Sequence, residues 1–124
     1  MLPVTRLYAG LLALWLVALS LNVSRVRAQT GRLLGSDDDG PLAWAVRAQG
    51  NCVEYAPIGV LLLAMAELRG VPAAWLHGLG ASLLAGRVLH AASLLPSQSR
   101  ALRVLGMAGT YVALIGAAVM LLAG

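Results

Sequence analysis

Three polar side chains recur at helical spacing inside a predominantly apolar stretch: Arg47, Asn51 and Glu54. Offsets of four and three residues place all three on one face of an α-helix. Arg87 and His90, three residues apart, share a face of a later stretch in the same way. An arginine fork binds carboxylates, a glutamate binds an ammonium group, and an asparagine amide pairs with a peptide group. Together these residue types indicate a site for a zwitterionic ligand with net negative charge.

The same residues could instead neutralise one another. A charged side chain at the centre of a membrane helix costs about 3 kcal/mol on insertion scales, so Arg47, Glu54 and Arg87 must face each other, water or a ligand. Spacing alone leaves open whether they form an internal salt network that fixes helix register or a binding site. The arginine surplus favours the site, because an internal network would leave positive charge unpaired. The additional arginines near the cluster are Arg25, Arg27, Arg100 and Arg103.

The composition is that of a membrane protein. Of the 124 residues, 60% are hydrophobic and only 11% are charged, which is atypical of a soluble globular domain. The nine basic residues are all arginines in a few clusters, so a nucleic-acid-binding surface is not indicated. Cys52 is the sole cysteine, which excludes an intrachain disulfide and a cysteine-based metal site. The two histidines, His77 and His90, are too far apart and too poorly accompanied to predict a metal site.

A membrane-spanning helix needs about 20 apolar residues, so the chain accommodates about four. We predict an all-α integral membrane protein, a single four-helix transmembrane domain over residues 1–124 in up-down-up-down order. The predicted helices cover residues 4–24, 41–69, 73–95 and 100–123. A signal peptide is the alternative for the first helix, because residues 26–28 resemble a cleavage site. The length of the apolar run and the arginines before that site favour a helix.

Arginine placement predicts the orientation of the bundle. Arginines concentrate around the first and third connections, whereas the opposite side has only Arg6 and Arg69. The residues around the first and third connections are Arg25, Arg27, Arg32, Arg100 and Arg103. Since cytoplasmic loops are enriched in basic residues, we expect these two connections in the cytoplasm and both termini on the opposite side.

Small residues recur at four-residue spacing on the last two predicted helices. Such stripes let two helix backbones approach closely in a membrane. The stripes are Gly78, Ser82 and Gly86 on the third helix, and Gly109, Ala113 and Ala117 on the fourth.

Two stretches, RAQGNCVEYAP at residues 47–57 and GRVLHAASL at residues 86–94, resemble the membrane-associated proteins in eicosanoid and glutathione metabolism (MAPEG). This superfamily includes the microsomal glutathione transferases and the leukotriene- and prostaglandin-forming synthases. Length, four-helix layout and the arginine-rich first loop are also similar, so the resemblance covers nearly the whole chain. It implies a protein similar to a microsomal glutathione transferase of bacterial type. It further implies a homotrimer that binds glutathione, as co-substrate, between subunits, and an inner-membrane location in a bacterium.

The resemblance also implies roles for individual residues. Arg103 at the start of the fourth helix, with Arg100 as second choice, would stabilise the glutathione thiolate and so activate it. The glutathione-binding residues that it implies are Arg27 (or its neighbour Arg25), Arg47, Gln49, Asn51, Glu54, Tyr55, Arg87 and His90. In one departure, Leu94 stands where several eicosanoid-forming members carry a tyrosine. A step assisted by that hydroxyl is therefore not expected, and leukotriene or prostaglandin synthesis is not favoured.

The expected function is that of a glutathione transferase, a glutathione peroxidase or both, acting on lipophilic electrophiles or lipid hydroperoxides from the membrane. A non-catalytic scaffold that binds lipid or glutathione is the alternative, because the family includes an activating protein that presents lipid without doing chemistry. A small transporter is a third hypothesis, since charges within a membrane can mark a translocation path. The far-side halves of the first and fourth helices are predominantly apolar, which argues against a continuous path.

Overall fold

Four helices make up the regular structure of the described part of this chain. The computed structural model describes residues 1–36, 39–95 and 98–124. Within them every regular element is an α-helix: α1 (Pro3–Thr30), α2 (Pro41–Leu68), α3 (Ala73–Leu94) and α4 (Arg100–Leu122). Of these, α1, α2 and α4 are long and apolar enough to span a membrane. The predicted all-α membrane fold is confirmed. Residues 37–38 of the first connection and 96–97 of the third lie outside the described part.

The helices α2 and α3 form the centre of the bundle. The first helix packs against both of them, whereas α4 packs most extensively against α3 and also against α2. Large apolar side chains also cover the outside: Leu14, Val112 and Ile115 are 69%, 62% and 63% exposed. An apolar outer surface of this kind suits lipid tails or another subunit better than water.

Helix α1 continues past the predicted end at residue 24 and ends at Thr30. The segment between Ser24 and Gly31 contains neither glycine nor proline, and its arginine, alanine and glutamine residues are good helix formers. Gly31 ends the helix in a left-handed conformation (φ 72°), and its amide donates to the Arg27 carbonyl oxygen at 2.8 Å. Arg25 and Arg27 therefore lie on the last two turns of a helix rather than in a loop.

Polar contacts hold the helices together at the end of the bundle that carries both termini. The Glu67 carboxylate accepts hydrogen bonds from the backbone amides of Val4 at 2.9 Å and Thr5 at 2.8 Å. These amides belong to the first turn of α1, where unpaired N–H groups and the helix dipole favour a negative charge. Arg69 donates to the carbonyl oxygen of Leu121 in the last turn of α4. Helices α1 and α4 are thus both anchored to the far end of α2.

Helices α3 and α4 approach each other closely enough for their backbones to touch. A Cβ atom on Gly86 would lie 2.7 Å from the Gly106 carbonyl oxygen, and one on Gly106 would lie 2.6 Å from the His90 nitrogen. The Ser82 hydroxyl donates to the Gly109 carbonyl oxygen at 2.6 Å. The small residues at these positions therefore permit a contact between main chains that a larger side chain would prevent.

Replacing Gly106 by alanine is expected to lower the stability of the bundle, because the new methyl group would overlap the backbone of α3. Overpacking of this kind costs about 1–3 kcal/mol. Gly78→Ala is the matched control, since a Cβ atom at Gly78 meets no atom within 4 Å. Thermal unfolding of the detergent-purified variants should give a lower midpoint for Gly106→Ala and a midpoint near that of the wild type for Gly78→Ala. Equal midpoints in the two variants would contradict the close packing.

Candidate functional site

The outward face of α2 carries a polar groove of about 580 Å³. Arg47, Asn51 and Glu54 line it together, with Gly50 between them. This grouping is the one that their spacing predicts. Arg47 and Glu54 are exposed, and Asn51 is half-buried. The remaining lining residues are Ser36, Ala43 and Val46.

Spacing alone leaves open an internal salt network of Arg47, Glu54 and Arg87. The described residues do not form this network. The guanidinium of Arg87 turns to Asn51 and Thr110 rather than to Glu54. Within residues 1–36, 39–95 and 98–124, neither the Arg47 guanidinium nor the Glu54 carboxylate has a hydrogen bond or an ion pair. Both groups therefore keep their full bonding capacity for a molecule that enters the groove.

Arg87 lies directly behind the groove and is only 1% exposed. Its Nε and Nη2 atoms donate to the Thr110 hydroxyl at 3.1 Å and 2.7 Å. Its Nη1 atom donates to the Asn51 carbonyl oxygen at 3.1 Å and also to the side-chain oxygen of Asn51. Because that amide oxygen is occupied, the amide nitrogen of Asn51 is the group that remains for the groove.

Tyr55 packs against Arg87 behind the groove. The Arg87 guanidinium lies 4.9 Å from the centre of the Tyr55 ring, a distance at which a cation and an aromatic face attract each other. The Tyr55 ring also meets the Tyr111 ring edge to face, with centres 6.1 Å apart. Two of the predicted binding residues, Arg87 and Tyr55, are therefore in contact with each other across α2 and α3.

Thr110 is a residue of this cluster that the spacing argument missed. It is fully buried on α4, where its hydroxyl accepts from Arg87 and donates to the Gly106 carbonyl oxygen at 2.9 Å. One signal in the sequence could have found it. A hydroxyl in the middle of an apolar membrane helix needs a partner on its own backbone or on a neighbouring helix.

A second crevice, of about 220 Å³, adjoins the groove and brings in Arg103. Arg47 and Ala43 line both cavities, so the two are neighbours. Arg100 is exposed and lines neither of them. Leu94, which is 3% exposed, also lines the crevice. Of the two candidate arginines, Arg103 is thus the one beside the groove.

The remaining predicted residues lie away from the groove within the single chain. Arg27 donates to the carbonyl oxygens of Arg32 at 3.3 Å and Gly35 at 2.8 Å, and so holds the first connection. Arg25 donates to the side-chain oxygen of Asn22 at 2.7 Å and lines a separate pocket. The two others, Gln49 and His90, line neither the groove nor the crevice.

No group of three or more histidine, cysteine, aspartate or glutamate side chains comes together as a metal site in the described part of the chain. Cys52 is buried and faces the interior of the bundle. The chemistry that the arrangement supports is the binding of an anionic, amino-bearing molecule by arginine, amide and carboxylate groups.

Comparison with known proteins finds a matching family and two similar sequences. Residues 5–123 match the MAPEG family. The chain is 40% identical over 87 residues to the inner membrane protein YecN of Escherichia coli strain K12, and equally to that of Escherichia coli O6:H1 strain CFT073. The alignment covers 70% of this chain and 66% of the relative. No solved structure matches the chain.

Cysteine labelling can check which face of α2 is open. In a Cys52→Ala background, Gly50→Cys should react quickly with a water-soluble maleimide, because Gly50 lines the groove. Ala48→Cys, on the buried face two residues earlier, should react slowly, since Ala48 is 1% exposed. The measurement is the labelling rate in detergent, followed by mass spectrometry. Equal rates at the two positions would contradict this orientation of α2.

Proposed function

Because the chain belongs to the MAPEG family, we propose that it is a glutathione-dependent membrane enzyme. Glutathione would occupy the groove on α2. The enzyme would join the glutathione sulfur to a lipophilic electrophile, or use glutathione to reduce a lipid hydroperoxide. The proposal is supported by the polar lining of the groove, in which the Arg47 guanidinium and the Glu54 carboxylate have no partner among the described residues and the amide nitrogen of Asn51 remains for a ligand.

The groups of glutathione complement that lining one by one. Glutathione has two carboxylates, one ammonium group and two peptide groups. The Arg47 fork suits a carboxylate, the Glu54 carboxylate suits the ammonium group, and the Asn51 amide nitrogen suits a peptide oxygen. Ligand sites usually enclose about 300–1,000 Å³, and the groove of about 580 Å³ falls within that range.

Arg103 is our candidate for the residue that activates the thiol. A thiol with a pKa near ~8.5 is mostly protonated at neutral pH, and only the thiolate attacks electrophiles well. A guanidinium beside the sulfur would stabilise the thiolate and lower that pKa. The location of Arg103 in the crevice that adjoins the groove supports this role. The thiolate would then form the new bond from sulfur to the electrophilic carbon, while the displaced electron pair leaves with a leaving group or passes along an activated double bond that is then protonated.

We further propose that the groove lies at a contact between subunits of a homotrimer. Arg47 and Glu54 are exposed on the single chain, although α2 is long and apolar enough to span a membrane. Charged groups that face lipid are costly, so another polar surface must cover them. A neighbouring copy could supply that cover, and its Arg27 or Arg25 could complete the glutathione site.

The protein lies in a membrane, and its relative YecN is an inner membrane protein. We propose that the first and third connections face the cytoplasm, because arginines concentrate there. Ser36 of the first connection lines the groove, so glutathione would enter from this side.

A non-catalytic scaffold is the second candidate, and Leu94 is the observation that favours it. This apolar side chain lines the crevice beside Arg103, where a hydroxyl could otherwise have assisted catalysis. A protein with such a site could bind glutathione or lipid without turnover. Binding and activity must therefore be measured separately.

Glutathione binding should depend on the groove. By isothermal titration of the purified protein in detergent, Arg47→Ala and Glu54→Ala should each bind at least about tenfold more weakly than the wild type. Tenfold corresponds to about 1.4 kcal/mol, which is less than a fully desolvated charge pair is worth. Arg6→Ala is the matched control, because Arg6 is an exposed arginine at the opposite end of the bundle. If Arg6→Ala weakened binding as much as Arg47→Ala, the site would be elsewhere.

Activity should depend on Arg103 more than on Arg100. In a screen of thiol conjugation and peroxide reduction, Arg103→Ala should lower the rate about tenfold or more at neutral pH, because the thiolate becomes a minor species. The loss should shrink as the pH approaches the ordinary pKa of the thiol. Arg100→Ala should retain most of the rate. Glutathione binding by the wild type without turnover of any electrophile or peroxide would favour the scaffold.

A further inference from the structure

We propose that Thr110 is a positioning residue for this site, holding Arg87 so that Arg87 in turn fixes Asn51. The inference rests on the proposed function, because Asn51 lines the groove in which glutathione would bind. Thr110 itself is fully buried on α4 and does not line the groove.

The hydrogen bonds of Arg87 account for its whole donor capacity. A guanidinium has five N–H groups, and the structure gives Arg87 five acceptor contacts. Nε and Nη2 share the Thr110 hydroxyl, and Nη1 donates to both oxygens of Asn51. The fifth contact is from Nη2 to the Met107 sulfur at 3.3 Å. Arg87 therefore has no N–H group left for a ligand, and its influence on the groove passes through Asn51.

The Thr110 hydroxyl is saturated in the same way. Its proton is donated to the Gly106 carbonyl oxygen at 2.9 Å, which leaves its two lone pairs for the two donors of Arg87. A Cβ atom at Gly86 would lie 2.5 Å from the hydroxyl oxygen, so α3 and α4 are in close contact beside this hydrogen bond. The hydroxyl therefore uses all of its hydrogen-bonding capacity within α3 and α4.

The orientation of the Asn51 amide follows from this chain of contacts. Nη1 of Arg87 holds the amide oxygen, so the amide nitrogen is the half that can donate to a ligand carbonyl or carboxylate. If Arg87 lost its anchor on α4, the Asn51 amide would be free to rotate, and it could present its oxygen instead. The groove would then lose one hydrogen-bond donor, the Asn51 amide nitrogen, that is held in place before glutathione binds.

The test compares two substitutions at Thr110 with a matched control in the same helix pair. Thr110→Val keeps the shape and removes the acceptor, and Thr110→Ser restores the hydroxyl. Ser82→Ala removes another hydrogen bond between α3 and α4, to the Gly109 carbonyl oxygen, without touching Arg87. In isothermal titration, Thr110→Val should bind glutathione about tenfold more weakly, as expected when a hydrogen bond from a charged group is lost. Thr110→Ser and Ser82→Ala should bind within about twofold of the wild type.

A double substitution separates positioning from a general effect on folding. If Thr110 acts through Asn51, Thr110→Val should weaken binding little further once Asn51→Ala is present. Full additivity of the two substitutions, or an equal loss of affinity in Ser82→Ala, would overturn the proposal. Should Thr110→Val not fold, Met107→Leu removes a different acceptor of Arg87 at nearly constant volume. Met107→Leu should lower the affinity for glutathione by a smaller factor, and it should lower it little further once Asn51→Ala is present. Additive losses of affinity in Met107→Leu and Asn51→Ala would equally overturn the proposal.

A measurement without glutathione distinguishes failure of this proposal from failure of the proposed function. In ¹⁵N-arginine spectra of the detergent-solubilised protein, the Arg87 Nε–H signal, identified by its loss in Arg87→Lys, should exchange slowly in the wild type and in Thr110→Ser. It should exchange much faster in Thr110→Val. Unchanged exchange in Thr110→Val would overturn the positioning role even if glutathione binds. The expected exchange pattern without any glutathione binding would leave the positioning role in place and reject glutathione as the ligand.

Discussion

A guanidinium buried among membrane helices needs an acceptor for each of its N–H groups, and this requirement ties together α2, α3 and α4. Arg87 extends from α3 and finds acceptors on both neighbours, Asn51 on α2 and Thr110 on α4. Burying such donors without partners would cost several kcal/mol, so the helices must keep these acceptors in place. One side chain thereby sets the position of three helices around the groove.

The small residues of α3 and α4 are a consequence of the same contact. Gly86 precedes Arg87, and a Cβ atom there would collide with Thr110 and Gly106. A larger residue would push α4 away and separate the Thr110 hydroxyl from the guanidinium. The contact between α3 and α4 is therefore closely packed and the guanidinium of Arg87 is fully hydrogen-bonded there, whereas on the outward face of α2 Arg47 and Glu54 have no partner among the described residues. A rigid support behind an open polar surface is the arrangement that a preorganised binding site requires.

The sequence predicts the four-helix fold and the grouping of Arg47, Asn51 and Glu54, because hydrophobic runs and helical periodicity determine both. It does not predict which neighbour Arg87 contacts, since a long side chain can reach either adjacent helix and spacing does not fix how α3 is rotated. Nor does it decide between Arg103 and Arg100, because that choice depends on how far α4 is shifted along α2. The sequence predicts that α1 ends at residue 24, whereas the helix continues to Thr30. The apolar run stops first, but the polar residues that follow it are good helix formers.

We propose that Arg47 and Glu54 have no partner among the described residues of the single chain because a ligand and a second copy complete the site. The most direct test is an experimental structure of the protein in lipid nanodiscs with glutathione. We expect glutathione against Arg47, Asn51 and Glu54 at a subunit contact, with Arg87 still bonded to Thr110. A groove that faces lipid and holds no glutathione, or an ion pair between Arg47 and Glu54 that closes the groove, would contradict this proposal.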